Sequence, residues 1–497
     1  MNAENRPGLP RLTTHPRRLH WSVSLCASIF LLTLAACVSI PDEHDALPQQ
    51  DMARAQLSAN IKLAQDGWPE AQWWTKYDDP QLNRMIAQAL KEGPTLQVAA
   101  ARIGSARAAL RRDTSEKSIN VDLNATSART RYSANGIYPP PIGGAYFTET
   151  TVEVAAQYDF DWWGKHRALI SAALGEVNAR RAEYAQVEQI LAAAVAQSYF
   201  TLQSAWARLS NLRHMVAIER DLVEDQAKRI AQGVASIDAE RSAQADLGNL
   251  KQQALQLETR IAQEREVLRA LLGANAQALG ELAPRPLPQT PSALPASLGI
   301  ELLARRPDLQ AARWRVEASM ERIEATKAAF YPDINLSGFF GSDVVSLDQL
   351  FKAASRTLFI GPALSLPLFD SGRLKASLGL ARSERNEMMA DYNQSVCNAV
   401  RDVAQEGVSL QGLQSQIAAQ EASVSATQAI LHSARARFTR GLAGNSTLFA
   451  AELSADKQLD TSLQLKGEVL QTDVALIKAL GGGYRALSGQ AASAPPP

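Results

Sequence analysis

Cysteine is scarce in this chain of 497 residues: Cys26, Cys37 and Cys397 are the whole complement. Surplus charge is absent too, because Lys plus Arg and Asp plus Glu both number 51. A nucleic-acid binder normally carries a basic excess, so that class is excluded. After residue 40 no apolar run approaches the ~20 residues that a membrane-spanning helix needs. Entry into a membrane would therefore require strands. Histidine is sparse, and His15, His20, His44, His166, His214 and His432 are scattered without the spacing of a metal site. A Walker loop, a Gly-x-Ser-x-Gly elbow and a dinucleotide fingerprint are all missing. Catalysis is thus excluded on inventory, and no metal or dissociable cofactor is expected.

The beginning of the chain, residues 1–36, reads as a signal peptide. Arg11, Arg17 and Arg18 form a basic region, and a mostly apolar stretch runs from Val23 to Leu34. That stretch is too short for a spanning helix and has the length of a signal sequence. It ends Leu34-Ala35-Ala36-Cys37, which resembles the bacterial lipobox. The resemblance implies cleavage before Cys37 and covalent diacylglycerol and palmitate on it. Val38 rather than Asp after the cysteine implies transport onward to the outer membrane. Cys26 would leave with the signal and Cys37 would be acylated. Cys397 would then stand alone, so no internal disulfide is expected.

The chain repeats itself. An offset of 208 residues places Gly164-Lys165 on Gly372-Arg373, Tyr184 on Tyr392, Gly233 on Gly441 and Leu272-Gly273 on Leu480-Gly481. Upstream the offset is 213, with Leu96-Gln97 on Leu309-Gln310 and Val121 and Leu123 on Ile334 and Leu336. A five-residue change between two matched blocks marks a loop of different length. Each copy spells helix, strand, strand, long helix. Helical stretches over about 80–117 and 307–329 lead into segments of strict alternation. Such period two gives a strand one apolar and one polar face, and predicts strands over about 119–133, 146–162, 333–343 and 356–369. Pro362 is awkward inside the last of these, because it cannot donate to a ladder.

Long helical patterns follow each strand pair, over about 164–272 and 372–480. Val195, Leu202, Leu209, Val216, Val223 and Ile230 are spaced by seven, as are Val403, Leu410, Ile417, Val424, Leu431 and Phe438. A sustained apolar heptad predicts helices supercoiled against neighbours. No proline interrupts Gly164 to Gly233, and at ~1.5 Å per residue that span makes a rod of about 100 Å. The returning helix, about 236–272, is shorter, and 307–329 completes the return.

Four amphipathic strands of this length can cross a bilayer, for which ~9–11 tilted residues suffice. Alone they cannot close a barrel, which takes about eight strands at the least, and open edges are not tolerated in lipid. The chain must share its strands with copies of itself, as a dimer, a trimer or a tetramer. The same assembly gathers the long helices into a hollow bundle, and a strand barrel continued by a helical tube is a conduit.

Six motifs then point to a family. They are Trp73-Trp74 with Asp79-Pro80-Gln81-Leu82; Phe160-Asp161-Trp162-Trp163-Gly164-Lys165; Arg305-Arg306-Pro307-Asp308-Leu309; Ala329-Phe330-Tyr331-Pro332-Asp333-Ile334; Pro367-Leu368-Phe369-Asp370-Ser371-Gly372; and Arg437-Phe438-Thr439-Arg440-Gly441-Leu442-Ala443. In this order they resemble the TolC-type outer membrane efflux factors, and in particular the lipid-anchored, NodT-like subgroup that serves resistance-nodulation-division (RND) and related drug pumps. The resemblance covers nearly all of the mature chain. It implies a mainly α protein with membrane β structure: a homotrimer with a twelve-stranded outer-membrane β-barrel continued by a long periplasmic α-helical barrel. It implies as partners a periplasmic membrane-fusion adaptor, an inner-membrane pump of the RND or a related type, and outer-membrane lipid. Nucleic acid is not among them.

On this reading 37–80 is the lipid anchor and N-terminal equatorial segment, 81–273 the first repeat, 274–306 an equatorial linker, 307–481 the second repeat and 482–497 a tail. Gly233-Val234-Ala235 and Gly441-Leu442-Ala443 resemble the hairpin tips where the adaptor docks. Relatives close the tip with acids shortly after the second glycine; here Asn445-Ser446-Thr447-Leu448-Phe449-Ala450 intervenes before Glu452. Asp238, Glu240, Thr447 and Glu452 are the residues left for a gate. The expected function is passive conduction of drugs or other small toxic compounds out of the cell. A type I protein-secretion duct and a periplasmic coiled-coil structural lipoprotein are the rival readings.

Overall fold

The structure, a computed structural model, describes residues 40–49, 68–275, 279–288 and 304–485. Cys37, its signal segment, and parts of the 274–306 linker and of the C-terminal tail lie outside the described residues.

The described elements repeat as the offsets predict. Helices α1 (Pro80–Glu92) and α2 (Pro94–Ser115) precede strands β1 (Asn120–Arg131) and β2 (Tyr146–Asp159). Helices α3 (Lys165–Ala231) and α4 (Ile237–Leu271) complete the first copy. The second holds α5 (Pro307–Ala328), β3 (Asp333–Val344), β4 (Arg356–Ser365), α6 (Arg373–Thr439) and α7 (Asn445–Ala479). The bounds of α6 and α7 fall 208 residues after those of α3 and α4, and those of α5 and β3 fall 213 after α2 and β1.

Three boundaries differ from expectation. The helical stretch expected over 80–117 is two helices. Pro94 clashes with a helical residue before it, and Gly93 is extended at ψ 125°. A Cβ at Gly93 would also come within 2.5 Å of the Ala89 carbonyl oxygen. Strand β2 ends at Asp159 rather than near 162, although Phe160 and Trp162 continue the alternation. The chain turns there so that the Asp161 carboxylate can accept hydrogen bonds from His166 N (2.9 Å) and Arg167 N (3.0 Å), capping α3. Strand β4 ends at Ser365 rather than near 369, and Asp370 caps α6 in the same way, through Gly372 N (3.0 Å) and Leu374 N (2.8 Å). Those bonds, first the one from Leu374, hold the Asp370 carboxyl below its usual range.

The chain forms two compact units. The described residues of one fall within Met1–Ala46, Arg111–Ala172 and Ser319–Arg385. It carries a four-stranded antiparallel sheet in the order β1-β2-β3-β4. Below the strands the Trp163 ring stacks on Tyr331 at 4.6 Å, and its Nε1 donates to the Pro332 carbonyl at 2.7 Å. Two of the family motifs thus lock together. Pro362 lies on β4, the outermost strand of this sheet within the chain, and sits opposite Leu336 of β3.

The described residues of the other unit fall within Leu47–Leu110, Ala173–Ala318 and Asn386–Pro497. Its largest core gathers Tyr77, Leu82, Ile86, Tyr199, Phe200, Leu202 and Leu268. The heptad positions Val195, Leu202, Leu209, Val403 and Leu410 are buried. Asp79 caps α1 through Gln81 N (2.9 Å) and accepts the Tyr199 hydroxyl at 2.6 Å. Gln81 in turn donates to the Ala283 carbonyl at 3.0 Å, which ties the described linker residues to this core.

Candidate functional site: sheet faces and hairpin tips

Residues directly opposite in a ladder share a face, so the register shows what each side of the sheet presents. Val121, Leu123 and Ala125 pair with Ala156, Val154 and Val152. Ala156, Val154 and Tyr158 pair in turn with Gly338, Phe340 and Leu336. Those three meet Ile360, Leu358 and Pro362. The result is one continuous apolar patch across the four strands at these positions, and nothing among the described residues covers most of it. Leu123 is 71% exposed, Leu358 77% and Ile360 74%. A contiguous uncovered apolar face marks a surface that meets lipid or another protein.

The opposite face carries every acid of the four strands: Asp122, Glu149, Glu153, Asp159, Asp333 and Asp343. No Lys or Arg of the strands lies there. Sheets of this kind separate lipid from a water-filled interior.

The two tips are alike in detail. Helix α3 ends with Gly233 at φ 75°, and Val234 N reaches back to the Arg229 carbonyl at 2.9 Å. Helix α6 ends with Gly441 at φ 69°, and Leu442 N reaches back to the Arg437 carbonyl at 2.8 Å. A left-handed residue followed by this six-residue backbone bond is a Schellman ending, for which glycine is the natural choice. Val234 and Leu442 are left 62% and 71% exposed. Ala235 and Ala443 complete the two turns.

The residues expected at a gate lie at and just after these turns, and among the described residues no hydrogen bond or ion pair joins one to another. Asp238 and Glu240 occupy the first turn of α4, and Glu240 accepts from Gln244 at 3.0 Å. Thr447 is in the first turn of α7. Glu452 is ion-paired with Arg435 of its own hairpin at 2.9 Å. Sequence reasoning missed Asp225. Its carboxylate accepts from Asn445 Nδ2 (2.8 Å) and Ser446 Oγ (3.0 Å), joining α3 of the first copy to α7 of the second. Farther along the same pair of helices, His214 meets Asp456 at 2.7 Å and Arg208 meets Asp460 at 2.9 Å. No local signal marks these residues, since each partner lies more than 200 residues away.

The outer membrane efflux protein family matches the chain twice, over residues 85–274 and 298–482. The multidrug resistance outer membrane protein MdtP of Escherichia coli (strain K12) is 38% identical over 475 residues, covering 93% of this chain and 96% of that protein. The putative multidrug resistance outer membrane protein MdtQ of Shigella flexneri is 35% identical, covering 92% and 97%. Among solved structures, the outer membrane protein VceC from Vibrio cholerae superposes with a TM-score of 0.74 at 32% identity, covering 84% of this chain and all of that one. The outer-membrane channel OprN superposes with a TM-score of 0.79 at 25% identity, covering 90% and 99%.

Proposed function

Because the chain belongs to the outer membrane efflux protein family, we propose that three copies of it close one exit duct for drugs and other small toxic compounds. The protein is an outer-membrane efflux channel and conducts rather than catalyses. One observation carries this reading: an uncovered apolar sheet face backed by a face holding all the strand acids. β1 and β4 are edge strands within the chain. Lipid does not tolerate open edges, so β4 of one copy pairs with β1 of the next. The exposed Val234 and Leu442 at the turns receive a periplasmic membrane-fusion adaptor, which links the duct to an inner-membrane pump of the RND or a related type.

Cys37 carries the lipid. In support, Ile40, three residues on, packs against the cluster of Ile323, Phe330, Leu374, Leu378 and Ala381 in the sheet-bearing unit. Glu43 is clasped there by Arg382 and Arg385. Ile40 and Glu43 are thus held against α5 and α6 near where those helices meet the strands.

Purified protein added to a planar bilayer gives discrete conductance steps, and its native mass is that of three protomers. A mass of one or two protomers without conductance refutes the duct.

A further inference from the structure

The strands hold three arginines, and all three lie on the apolar face. Arg131 pairs with Tyr146 and Arg129 with Thr148; Arg356 pairs with Ser342. They alternate in phase with Val121, Leu123, Leu358 and Ile360, so they share that side of the sheet. They also share one end of it. Helices α2, α3, α5 and α6 all join the strands at the other end.

No strand acid faces them, and among the described residues none of the three enters an ion pair. The acid closest in sequence to Arg356 is Asp348, in the β3–β4 connection, and it is engaged with Lys352 at 3.8 Å. The Arg129 and Arg131 guanidinium carbons stand 5.5 and 5.8 Å from the centre of the exposed Tyr146 ring.

Distance along the strand says what surrounds them. From Tyr158 to Tyr146 on β2 the chain climbs ~40 Å at ~3.3 Å per residue. At a tilt of about 40° that is roughly 30 Å of height, the thickness of a hydrocarbon layer. Tyr158, Phe160 and Trp162 then mark one border, and Tyr146 with the arginines marks the other. Guanidinium groups at such a border meet phosphate, which they grip with two parallel hydrogen bonds. Acyl chains attached to that phosphate would lie along the uncovered valines and leucines.

We propose that Arg129, Arg131 and Arg356 form a site for the phosphate of an anionic lipid in the leaflet farther from the helices. The proposal rests on the closed trimer argued above in one respect. β1 and β4 are edges, so closure brings Arg356 of one copy beside Arg129 and Arg131 of the next.

The test uses the full-length protein in detergent, wild type and R129Q/R131Q/R356Q, with lipid A carrying its phosphates as probe. Native mass spectrometry counts bound lipid and reports the oligomer in the same spectrum, while single-channel conductance reports the pore separately. Wild type retains at least tenfold more lipid A than the triple variant, and dephosphorylated lipid A binds wild type no better than it binds the variant. Equal retention by wild type and variant, or equal binding of the dephosphorylated lipid, overturns the site. Displacement by millimolar inorganic phosphate overturns the lipid assignment in favour of a free-anion site. Should the triple variant fail to assemble, R131Q alone and the dephosphorylated probe still decide. A monomeric wild type that binds lipid A through its Arg129–Arg131 pair refutes the duct and leaves the site standing.

Discussion

The Asp225 carboxylate accepts a hydrogen bond from Asn445 at 2.8 Å, so the end of the first long helix is held by the start of the last one. The bond lies beside the first turn, where the α3 heptad positions Val223 and Ile230 are only half-buried, so a polar tie adds to the packing there. Asp225→Ala removes two charge-assisted bonds, about 1–2 kcal/mol in a partly exposed setting. Spin labels on α3 and α7 near the turns should report a wider and broader distance distribution, with larger mean conductance. An unchanged distance distribution means the tie does not set the position of the helix ends.

Leu442→Asp puts a carboxylate on the exposed turn without touching sheet or heptad core. A desolvated, unpaired charge is costly at a contact. Binding of the adaptor should fall more than tenfold, about 1.4 kcal/mol, with native mass and conductance retained. Failure to assemble would show Leu442 to be buried in the oligomer.

Cys37→Ser should abolish incorporation of labelled palmitate. Acyl chains contribute ~0.8 kcal/mol per buried CH₂, yet the strands alone hold the protein in the membrane. The variant should therefore still fractionate with outer membranes. Persistent labelling would place the lipid elsewhere.

Asp473 is fully buried on α7, with Lys76 Nζ at 2.7 Å and the Tyr77 hydroxyl donating at 2.6 Å. Burial raises its pKa above the ordinary value, and Lys76 and Tyr77 pull the other way. Burial and the adjacent carboxylate also push the Tyr77 hydroxyl up. The folded chain thus holds the Asp473 proton more tightly than the unfolded chain does. The associated stability is complete below the unfolded value and lost as pH rises through the folded one. Lys76→Met removes the main opposing charge and raises the folded value further. Its melting temperature should match wild type near pH 4 and fall progressively behind toward pH 8, by about 2 kcal/mol of stability. A deficit independent of pH would show that Lys76 acts by packing alone.

Glu149, Glu153 and Asp343 are grouped by register, since Asp343 pairs with Thr151 between the two glutamates. A row of carboxylates along a pore favours cations. Neutralising all three to Gln or Asn should move the reversal potential in a salt gradient toward zero. An unshifted potential would place selectivity outside the strands.

Much of this was legible in the sequence because periodicity reports burial directly. Val121 to Ala125 and Val152 to Tyr158 alternate because one side of each strand is apolar, and the faces follow without coordinates. The helix ends were legible because Gly233 and Gly441 must take positive φ. The Gly93-Pro94 break was overlooked because apolar spacing continues across it, whereas proline sterics override the pattern. Strand ends were overextended at Phe160 and Trp162, where a capping carboxylate, not side-chain alternation, decides where the chain turns. The contacts of Asp225 and Asp473 were out of reach, since their partners are fixed only by how α7 packs on the first copy and on the 73–77 turn.

The uneven offset has a consequence for symmetry. The turns at Gly233 and Gly441 are built alike, whereas the strand connections, residues 132–145 and 345–355, differ in length and form. In a ring of three copies the turns would form a near-sixfold crown, and the strand loops only a threefold one. A partner docking on the turns could engage six stations of two closely related kinds, while a ligand approaching the strand loops would meet an alternation of long and short. Half of one chain's duplication has thus drifted apart and half has kept its original equivalence.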